Sequence, residues 1–124
     1  MRLDEIMKSL YYKKEAYFID MFGKVKHNQT TLYNDRNNCI SATHIDRWLL
    51  INDLLNISAF LNEGWAPNWD KEEEEKYAIF MENNKVKIEK VKSPCSFTYF
   101  KSLSLAESAI EMLEERQIRK ILLG

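Results

Sequence analysis

The sequence predicts an α+β fold with two N-terminal helices, a small antiparallel sheet of about three strands and a C-terminal helix. Three observations predict it. Apolar residues recur at helical spacing through the first half of the chain, alternation of apolar and charged residues follows, and a helix-capping signature precedes a last amphipathic segment. With 124 residues and 45% apolar content, the chain is expected to form one core. Residues 1–124 are therefore predicted to be a single domain, with a helical part at 1–63 and a strand and helix part at 64–124.

The first predicted helix runs from Leu3 to Phe22 and ends at Gly23. Its apolar residues follow the three-and-four spacing of one helical face. They are Leu3, Ile6, Met7, Leu10, Tyr17, Phe18, Met21 and Phe22. The segment from Lys24 to Cys39 is polar and rich in asparagine and threonine, so we predict a long loop or a weak hairpin there.

The second predicted helix begins near Ser41 to Thr43, which offer capping hydroxyls, and ends at Glu63 before Gly64. Its apolar residues leave almost no polar face. They are Ile45, Trp48, Leu49, Leu50, Ile51, Leu54, Leu55, Ile57, Phe60 and Leu61. We therefore expect this helix to be covered on most sides, as the central helix of the domain or as part of a dimer or partner interface.

The sheet is predicted from two alternating segments, "KYAIFME" and "KVKIEKVK", joined by "ENNK", whose asparagines tolerate the positive φ of a tight hairpin turn. The phase shifts at Lys90 and Val91, which predicts a bulge or a strand end. After Pro94, "SFTYFK" is predicted to be a third strand.

The last predicted element is a C-terminal helix. Ser104 precedes Glu107 by three residues, which predicts a capping box. Apolar residues on one side follow, and a closing turn contains Ile118, Ile121 and Leu122.

The overall charge argues against binding driven by a bulk electrostatic field. The chain has 18 basic and 19 acidic side chains, a net charge of -1, so contacts with nucleic acid, membrane or acidic substrates must come from local patches. The N-terminus interleaves charged and apolar residues and does not resemble a signal peptide, and no apolar run is long enough to cross a bilayer. A cytoplasmic protein is expected.

The cysteines and histidines give little sign of a metal site. Cys39 and Cys95 are far apart and outside any CxxC context, so we expect reduced, structurally incidental thiols. A zinc site would need both of them together with His27 and His44. No metal and no cofactor are expected.

Catalytic signatures are also not found in the sequence. It contains no glycine-rich phosphate loop and no nucleophile elbow, and the carboxylates Asp46, Asp53 and Glu63 lack an ordered set of partners. His44 lies near Asp46, but a histidine beside an acid at a helix start is commonplace. The protein is therefore predicted not to be an enzyme.

The segment "FLNEGWAPNWDKEEEEKYAIF" carries the first candidate binding surface, since it combines tryptophans with an acidic run. One interpretation is structural: Gly64 ends the helix, and Trp65 and Trp69 fold back onto the core. The other is functional: Trp69, after Pro67, stays partly exposed as an anchor for a partner, while Trp65 is the more buried. The acidic run is either solvated or directed at a basic surface, and it consists of Glu72, Glu73, Glu74 and Glu75.

Two tyrosines complete the predicted partner-binding set. Tyr11 and Tyr12 fall outside the main apolar stripe of the first predicted helix and have basic neighbours, which suits a protein interface or a nucleic-acid contact. The neighbouring lysines are Lys8, Lys13, Lys14, Lys24 and Lys26.

A lysine-rich surface on the hairpin gives the alternative interpretation. Lysines on the outer face of a sheet protect its edge, or they bind phosphates of RNA or DNA, with Phe97 or Tyr99 stacking on bases. These lysines are Lys85, Lys87, Lys90, Lys92 and Lys101. No RNA-binding or helix-turn-helix signature accompanies them.

The second half of the chain, from about Leu61 to Leu122, resembles a family of small proteins encoded by phages and prophages of Bacteroidota. The resemblance lies in "LNEGWAPNW", in "KY" at a strand start and in "TYFKSLSLAESAIEMLEERQIRKIL". The family pattern is N-E-G-W-x-P-D-W, so Asn68 stands where an aspartate is usual.

The resemblance implies a phage setting. A phage-encoded interaction protein that binds and inhibits a bacterial defence nuclease, as anti-CRISPR proteins do, is the preferred hypothesis. Its expected partner is a CRISPR effector nuclease or its guide RNA complex, in the host cytoplasm. The alternative hypothesis is a nucleic-acid-binding accessory protein that uses the lysine hairpin.

Overall fold

The computed structural model of the chain describes Arg2, Leu3, Glu5, Ile6 and residues 16–28 and 42–123. The chain divides into two compact units, Met1–Trp48 and Leu49–Gly124. Within the described ranges the fold is α+β, as predicted, and it contains two small antiparallel sheets. The arrangement of helices and strands differs from the predicted one.

A hairpin forms the described strands of the first unit. Strand β1 (Ala16–Ile19) pairs with β2 (Val25–Asn28), with Ile19 opposite Val25. The Asp20 carboxylate accepts hydrogen bonds from the backbone N–H groups of Phe22 and Lys24, both at 2.9 Å. Gly23 adopts a φ of 77°, a region that L side chains rarely populate. Asp20 and Gly23 therefore shape the turn between the strands.

The predicted first helix is wrong over its second half. Leu3, Glu5 and Ile6 are helical, but Ala16–Ile19 is a strand. A short apolar run fits a helix or a strand equally well. The Asp20 carboxylate accepts hydrogen bonds from the backbone N–H groups that follow it, which favours a turn over a continued helix. Of the predicted loop or weak hairpin at Lys24 to Cys39, Val25–Asn28 is a strand, but its partner is Ala16–Ile19, within the predicted first helix. Residues 29–39 lie outside the described ranges.

Helix α1 (Ala42–Asn62) confirms the second predicted helix nearly to its bounds. Glu63 and Gly64 end it with φ values of 49° and 83°. The expected cover on most sides is incomplete, however. Trp48 is 42% exposed, Leu55 41% and Phe60 76%.

The predicted hairpin in the second unit is confirmed. Strand β3 (Tyr77–Glu82) pairs with β4 (Lys85–Lys90) in antiparallel register. Asn83 and Asn84 form the two-residue turn with φ values of 52° and 62°, as a type I′ turn requires. The strand end expected near Lys90 is also found.

The predicted third strand is not formed. Within "SFTYFK", Phe100 makes an isolated antiparallel bridge to Tyr77. The Tyr99 hydroxyl explains the difference, because it accepts hydrogen bonds from the N–H groups of Cys95 and Ser96 at 2.6 and 2.7 Å and donates to the Ser96 carbonyl at 2.9 Å. The chain is thereby folded into a turn before it reaches the sheet.

Two helices stand where one C-terminal helix was predicted. They are α2 (Leu103–Leu113) and α3 (Glu115–Leu123). The break lies at Glu114, whose φ is 78° and whose N–H donates to the Ile110 carbonyl. The cap of α2 is Ser102, which accepts from the Leu105 N–H at 3.3 Å, and not the predicted Ser104.

The hydrophobic core of the second unit brings α1, the hairpin and both C-terminal helices together. Its buried members are Leu54, Ile79, Phe100, Ala106, Ala109, Ile118 and Ile121. Ala106 and Ala109 of α2 are fully buried, and their small side chains allow this helix to pack closely against the rest of the core.

Candidate functional site

The segment Trp65–Lys76, which we call the tryptophan bend, is organised around a buried lysine. Lys76 is 2% exposed. Its ammonium group donates to the carbonyls of Lys71 at 2.9 Å and Glu74 at 3.1 Å, and it lies 3.4 Å from the Glu74 carboxylate. A buried charge is tolerated only when it is paired and hydrogen-bonded, and Lys76 meets both conditions. One cation thus holds several parts of the bend together.

Trp69 packs inside this arrangement. The Lys76 Nζ lies 5.3 Å from the centroid of its ring, and the Tyr99 ring meets it edge to face at a centroid distance of 4.9 Å. Such contacts stabilise the position of an indole. Trp65 and Trp69 are both half-buried. Both rings are therefore partly exposed rather than Trp69 alone, and Trp69 also makes the structural contacts that the other interpretation gave it.

Glu74 closes the bend. Its carboxylate accepts from the Asn68 N–H at 2.8 Å. This hydrogen bond, followed by the interactions with Lys76 and the Trp65 side chain, holds the pKa of Glu74 below its ordinary value against the opposing effect of desolvation. The charged form of Glu74 is thus part of the fold.

Glu75 is also used internally. Its carboxylate lies 3.2 Å from the Lys90 ammonium and accepts a hydrogen bond from the Tyr77 hydroxyl, also at 3.2 Å. These contacts, mainly the hydrogen bond from Lys90, lower the pKa of Glu75. The predicted acidic run is therefore divided, because Glu74 and Glu75 interact within the protein.

The remaining carboxylates of the bend face solvent, and the part of the chain that the structure describes offers them no partner. Asp70, Glu72 and Glu73 are exposed, and none of these side chains is hydrogen-bonded or ion-paired within the described residues. The backbone that carries them is nevertheless held, since Asn68 accepts from the N–H groups of Asp70 and Lys71. We call Asp70, Glu72 and Glu73 the acidic tip.

The hairpin lysines do not form one free basic surface. Lys87 pairs with Glu82 and Glu89, and Lys90 pairs with Glu75. The hydrogen bond to Glu82, and after it the hydrogen bond to Glu89, raises the pKa of the Lys87 ammonium group.

The other three lysines of this predicted surface, on and around the hairpin, differ in their surroundings. Lys101 donates its ammonium hydrogen to the Asn62 carbonyl at 3.2 Å and is half-buried. Lys85 and Lys92 are exposed, with no side-chain partner within the described residues. Of the proposed stacking residues, Phe97 is 43% exposed, whereas the Tyr99 hydroxyl is engaged in the turn described above.

Some predicted site residues lie outside the described ranges. They are Tyr11 and Tyr12 and the neighbouring Lys8, Lys13 and Lys14. Lys24 and Lys26 are exposed on the first hairpin.

The structure also shows a surface that the sequence analysis missed. Met21 is 89% exposed and Phe22 is 80% exposed at the turn of the first hairpin. They were assigned to the apolar face of a helix. The signal that indicates a turn is Asp20 followed by Gly23, because an aspartate can bond the backbone two residues on and glycine accepts positive φ.

The described residues offer no metal centre and no membrane span. No group of three or more His, Cys, Asp or Glu side chains among them could hold a metal ion, and no helix among them has the length and apolarity to cross a bilayer. Asp46 and Asp53 are exposed on α1, and Cys95 is an exposed free thiol. Cys39 lies outside the described ranges, and of His27 only the backbone position in β2 is described.

Comparisons with family models, with curated proteins and with solved structures found no match.

Proposed function

We propose that this protein is a phage-encoded, non-enzymatic interaction protein that binds and inhibits a bacterial defence nuclease in the cytoplasm of the host cell. The acidic tip would contact the basic surface with which such a nuclease holds nucleic acid, and the exposed part of Trp69 would add an apolar contact. The phage setting rests on the family resemblance of Leu61 to Leu122, and the proposed nuclease is a CRISPR effector or its guide RNA complex.

The observation that carries the proposal is the presence of unpaired charge on an ordered loop. The carboxylates of Asp70, Glu72 and Glu73 have no partner within the described residues, and like charges repel one another, so these carboxylates add no stabilising contact to that part of the fold. The bend beneath them is held by Lys76 and Glu74. A preordered loop loses little conformational entropy on binding, and complementary charge accelerates the encounter with a basic partner.

The nucleic-acid alternative gains no such support from the geometry. Glutamates neutralise Lys87 and Lys90, and the Lys101 ammonium is bonded to a carbonyl. Phosphate binding would have to replace these contacts at three of the five predicted positions. A salt-sensitive shift of bare RNA or DNA that disappears when Lys85, Lys87, Lys90 and Lys92 are changed to Gln would favour the alternative.

The test is inhibition of DNA cleavage by guide-loaded CRISPR effector nucleases from Bacteroidota. Glu72→Gln/Glu73→Gln is expected to raise the half-inhibitory concentration about tenfold, which corresponds to about 1.4 kcal/mol of binding free energy. The effect is expected to shrink at high salt, because exposed charges are screened.

A matched control removes the same charge elsewhere in the same unit. Glu107 and Glu111 are exposed on α2 and have no side-chain partners within the described residues, so Glu107→Gln/Glu111→Gln is expected to leave inhibition unchanged. Equal weakening by both double variants would mean that only net charge matters. Normal cleavage with saturating wild-type protein across the nucleases would overturn the proposal.

A further inference from the structure

The outer edge of β4 presents backbone groups without partners. The Val91 N–H donates to the Lys76 carbonyl at 2.8 Å, and Tyr77 exchanges two backbone hydrogen bonds with Phe100 on the far side of β3. Because hydrogen-bonded and non-hydrogen-bonded pairs alternate in an antiparallel ladder, the N–H and C=O groups of β4 that face away from β3 belong to every second residue. These residues are Val86, Ile88 and Lys90.

This edge is open within the described residues. The outward-facing backbone groups of Val86, Ile88 and Lys90 make no hydrogen bond to any described residue, and the six residues of β4 are all half-buried or exposed. An open edge is a template for pairing with another strand, which proteins otherwise block by charge, by bulges or by covering segments. The charges of β4 therefore decide which strand can pair there.

We propose that two copies of this chain associate through their β4 strands, antiparallel across a twofold axis at Ile88, to make a continuous four-stranded sheet. In this register Ile88 faces Ile88 of the second copy, and Val86 faces Lys90 of the second copy. The outward-facing backbone groups of each β4 strand then pair with the outward-facing groups of the other β4 strand, as hydrogen-bonded pairs of an antiparallel ladder.

The charge order of β4 is self-complementary in this register. Lys87 faces Glu89 of the second copy, and Glu89 faces Lys87 of the second copy. These are non-hydrogen-bonded pairs, in which side chains approach most closely, and opposite charges at such positions stabilise a sheet. Lys87 and Glu89 already lie 3.1 Å apart within one strand, so the two copies together form a ring of four alternating charges.

Other registers lose this match. A shift by one residue places outward-facing backbone groups against inward-facing ones and forms no ladder. A shift by two residues places like charges together at the axis, where they repel. With the axis at Glu89, Glu89 faces Glu89 and no Lys–Glu pair remains within β4. With the axis at Lys87, Lys87 faces Lys87, and this repulsion offsets part of the gain from the two pairs that Lys85 makes with Glu89 of the second copy. The sequence "KIE", at 87–89, pairs with its own reverse, so the partner that fits this edge is a second copy of the same strand.

The test is sedimentation equilibrium of wild-type protein and two charge-reversal variants over a wide concentration range. Wild-type protein is expected to reach about twice its chain mass of 14.8 kDa. Lys87→Glu alone places Glu against Glu twice, and Glu89→Lys alone places Lys against Lys twice, so each variant alone is expected to stay monomeric. An equimolar mixture of the two variants restores both opposite-charge pairs and is expected to dimerise again.

The mixture distinguishes pairing from a general loss of stability. Misfolded single variants would not recover the dimer on mixing, and circular dichroism of each checks its fold. Monomeric wild-type protein at every concentration, single variants that dimerise as well as wild-type protein, or a mixture of folded variants that stays monomeric would overturn the proposal.

Amide hydrogen exchange of wild-type protein tests pairing at the same edge without substitution. The N–H groups of Val86, Ile88 and Lys90 are expected to exchange rapidly in dilute protein and to slow strongly as concentration rises. Those of Lys87 and Glu89 point towards β3 and are expected to be protected at all concentrations. Concentration-independent exchange at Ile88 would contradict the proposal even if the charge variants failed to fold.

Discussion

At the scale of single residues, Lys76 is the side chain on which the tryptophan bend depends. Its ammonium group bonds two backbone carbonyls, approaches a carboxylate and lies over the ring of Trp69. No sequence pattern distinguished this lysine from its neighbours, because burial and partners at such a position come from contacts made by the whole segment. The sequence identified the bend but not the residue that holds it.

Replacing Lys76 by Met is expected to lower the free energy of unfolding by about 1–3 kcal/mol, because the carbonyls of Lys71 and Glu74 lose their donor. Lys71→Met is the control, since the Lys71 side chain is exposed and unpaired within the described residues, and about 0.5 kcal/mol or less is expected there. Urea unfolding measures both. Equal losses would show that the ammonium of Lys76 is not what holds the bend.

Glu74 is expected to make stability depend on pH in the acidic range. Its pKa in the folded protein is lowered from an ordinary value of 4.5. A lowered carboxyl pKa contributes stability that is present above the ordinary value and is lost as pH falls through the folded value. Glu75 contributes in the same direction.

Thermal melts between neutral and acidic pH measure this dependence. Glu74→Gln is expected to reduce the loss of melting temperature on acidification. Glu72→Gln is the matched control: it removes an exposed carboxylate that has no partner within the described residues, and the profile is expected to stay as in wild-type protein. A Glu74→Gln profile that coincides with the wild-type one would contradict the assigned role.

At the scale of elements, local signals predicted α1 and the β3–β4 hairpin well. The signal for α1 is a long segment of helical periodicity that ends at Gly64, and the signal for the hairpin is the pair of asparagines at its turn. Both signals depend only on residues that are close together in sequence. The first helix, the third strand and the single C-terminal helix were mispredicted because a side chain or a backbone break overrode the local pattern. Asp20, Tyr99 and Glu114 are those points, and Tyr99 is fixed by a hydrogen bond from Asn62, 37 residues away in sequence.

Two adjacent leucines of α1 test which side of the helix faces the core. Leu54 is 2% exposed and belongs to the hydrophobic cluster, whereas Leu55 is 41% exposed. Leu54→Ala is expected to cost about 2–5 kcal/mol of unfolding free energy and Leu55→Ala about 1 kcal/mol or less. Chemical denaturation compares them, and a larger loss at Leu55 would indicate that a partner or second copy covers that side.

At the scale of the whole molecule, the near-neutral net charge conceals an uneven distribution of partners. Glutamates and lysines on the β3–β4 hairpin largely neutralise one another, whereas the carboxylates of the acidic tip have no basic partner within the described residues. The prediction from composition that any charge-driven binding acts through local patches stays a prediction. Composition could not predict which charges are paired, since the partners Glu75 and Lys90 are 15 residues apart in sequence.

The hydrophobic cluster leads to a prediction about a shorter chain. Among the described residues, its buried members and the partly buried residues packed on them belong to the unit Leu49–Gly124. A fragment of residues 42–124, which retains all of α1, is expected to unfold in one cooperative transition with a circular dichroism spectrum of mixed helix and strand. A fragment without a cooperative transition would instead support the prediction that residues 1–124 form a single domain.

The burial of Lys76 also has a consequence for its chemical reactivity. Lys76 is 2% exposed as a residue and its ammonium group is bonded to carbonyls, so it is shielded from amine-modifying reagents, whereas Lys71, five residues earlier, is open to them. Brief acetylation of the native protein, followed by peptide mass spectrometry, should label Lys71 and spare Lys76 until the bend opens. The ratio of the two labels then reports the opening of this one segment, and a partner that closes over the acidic tip should lower the label on Lys71 first.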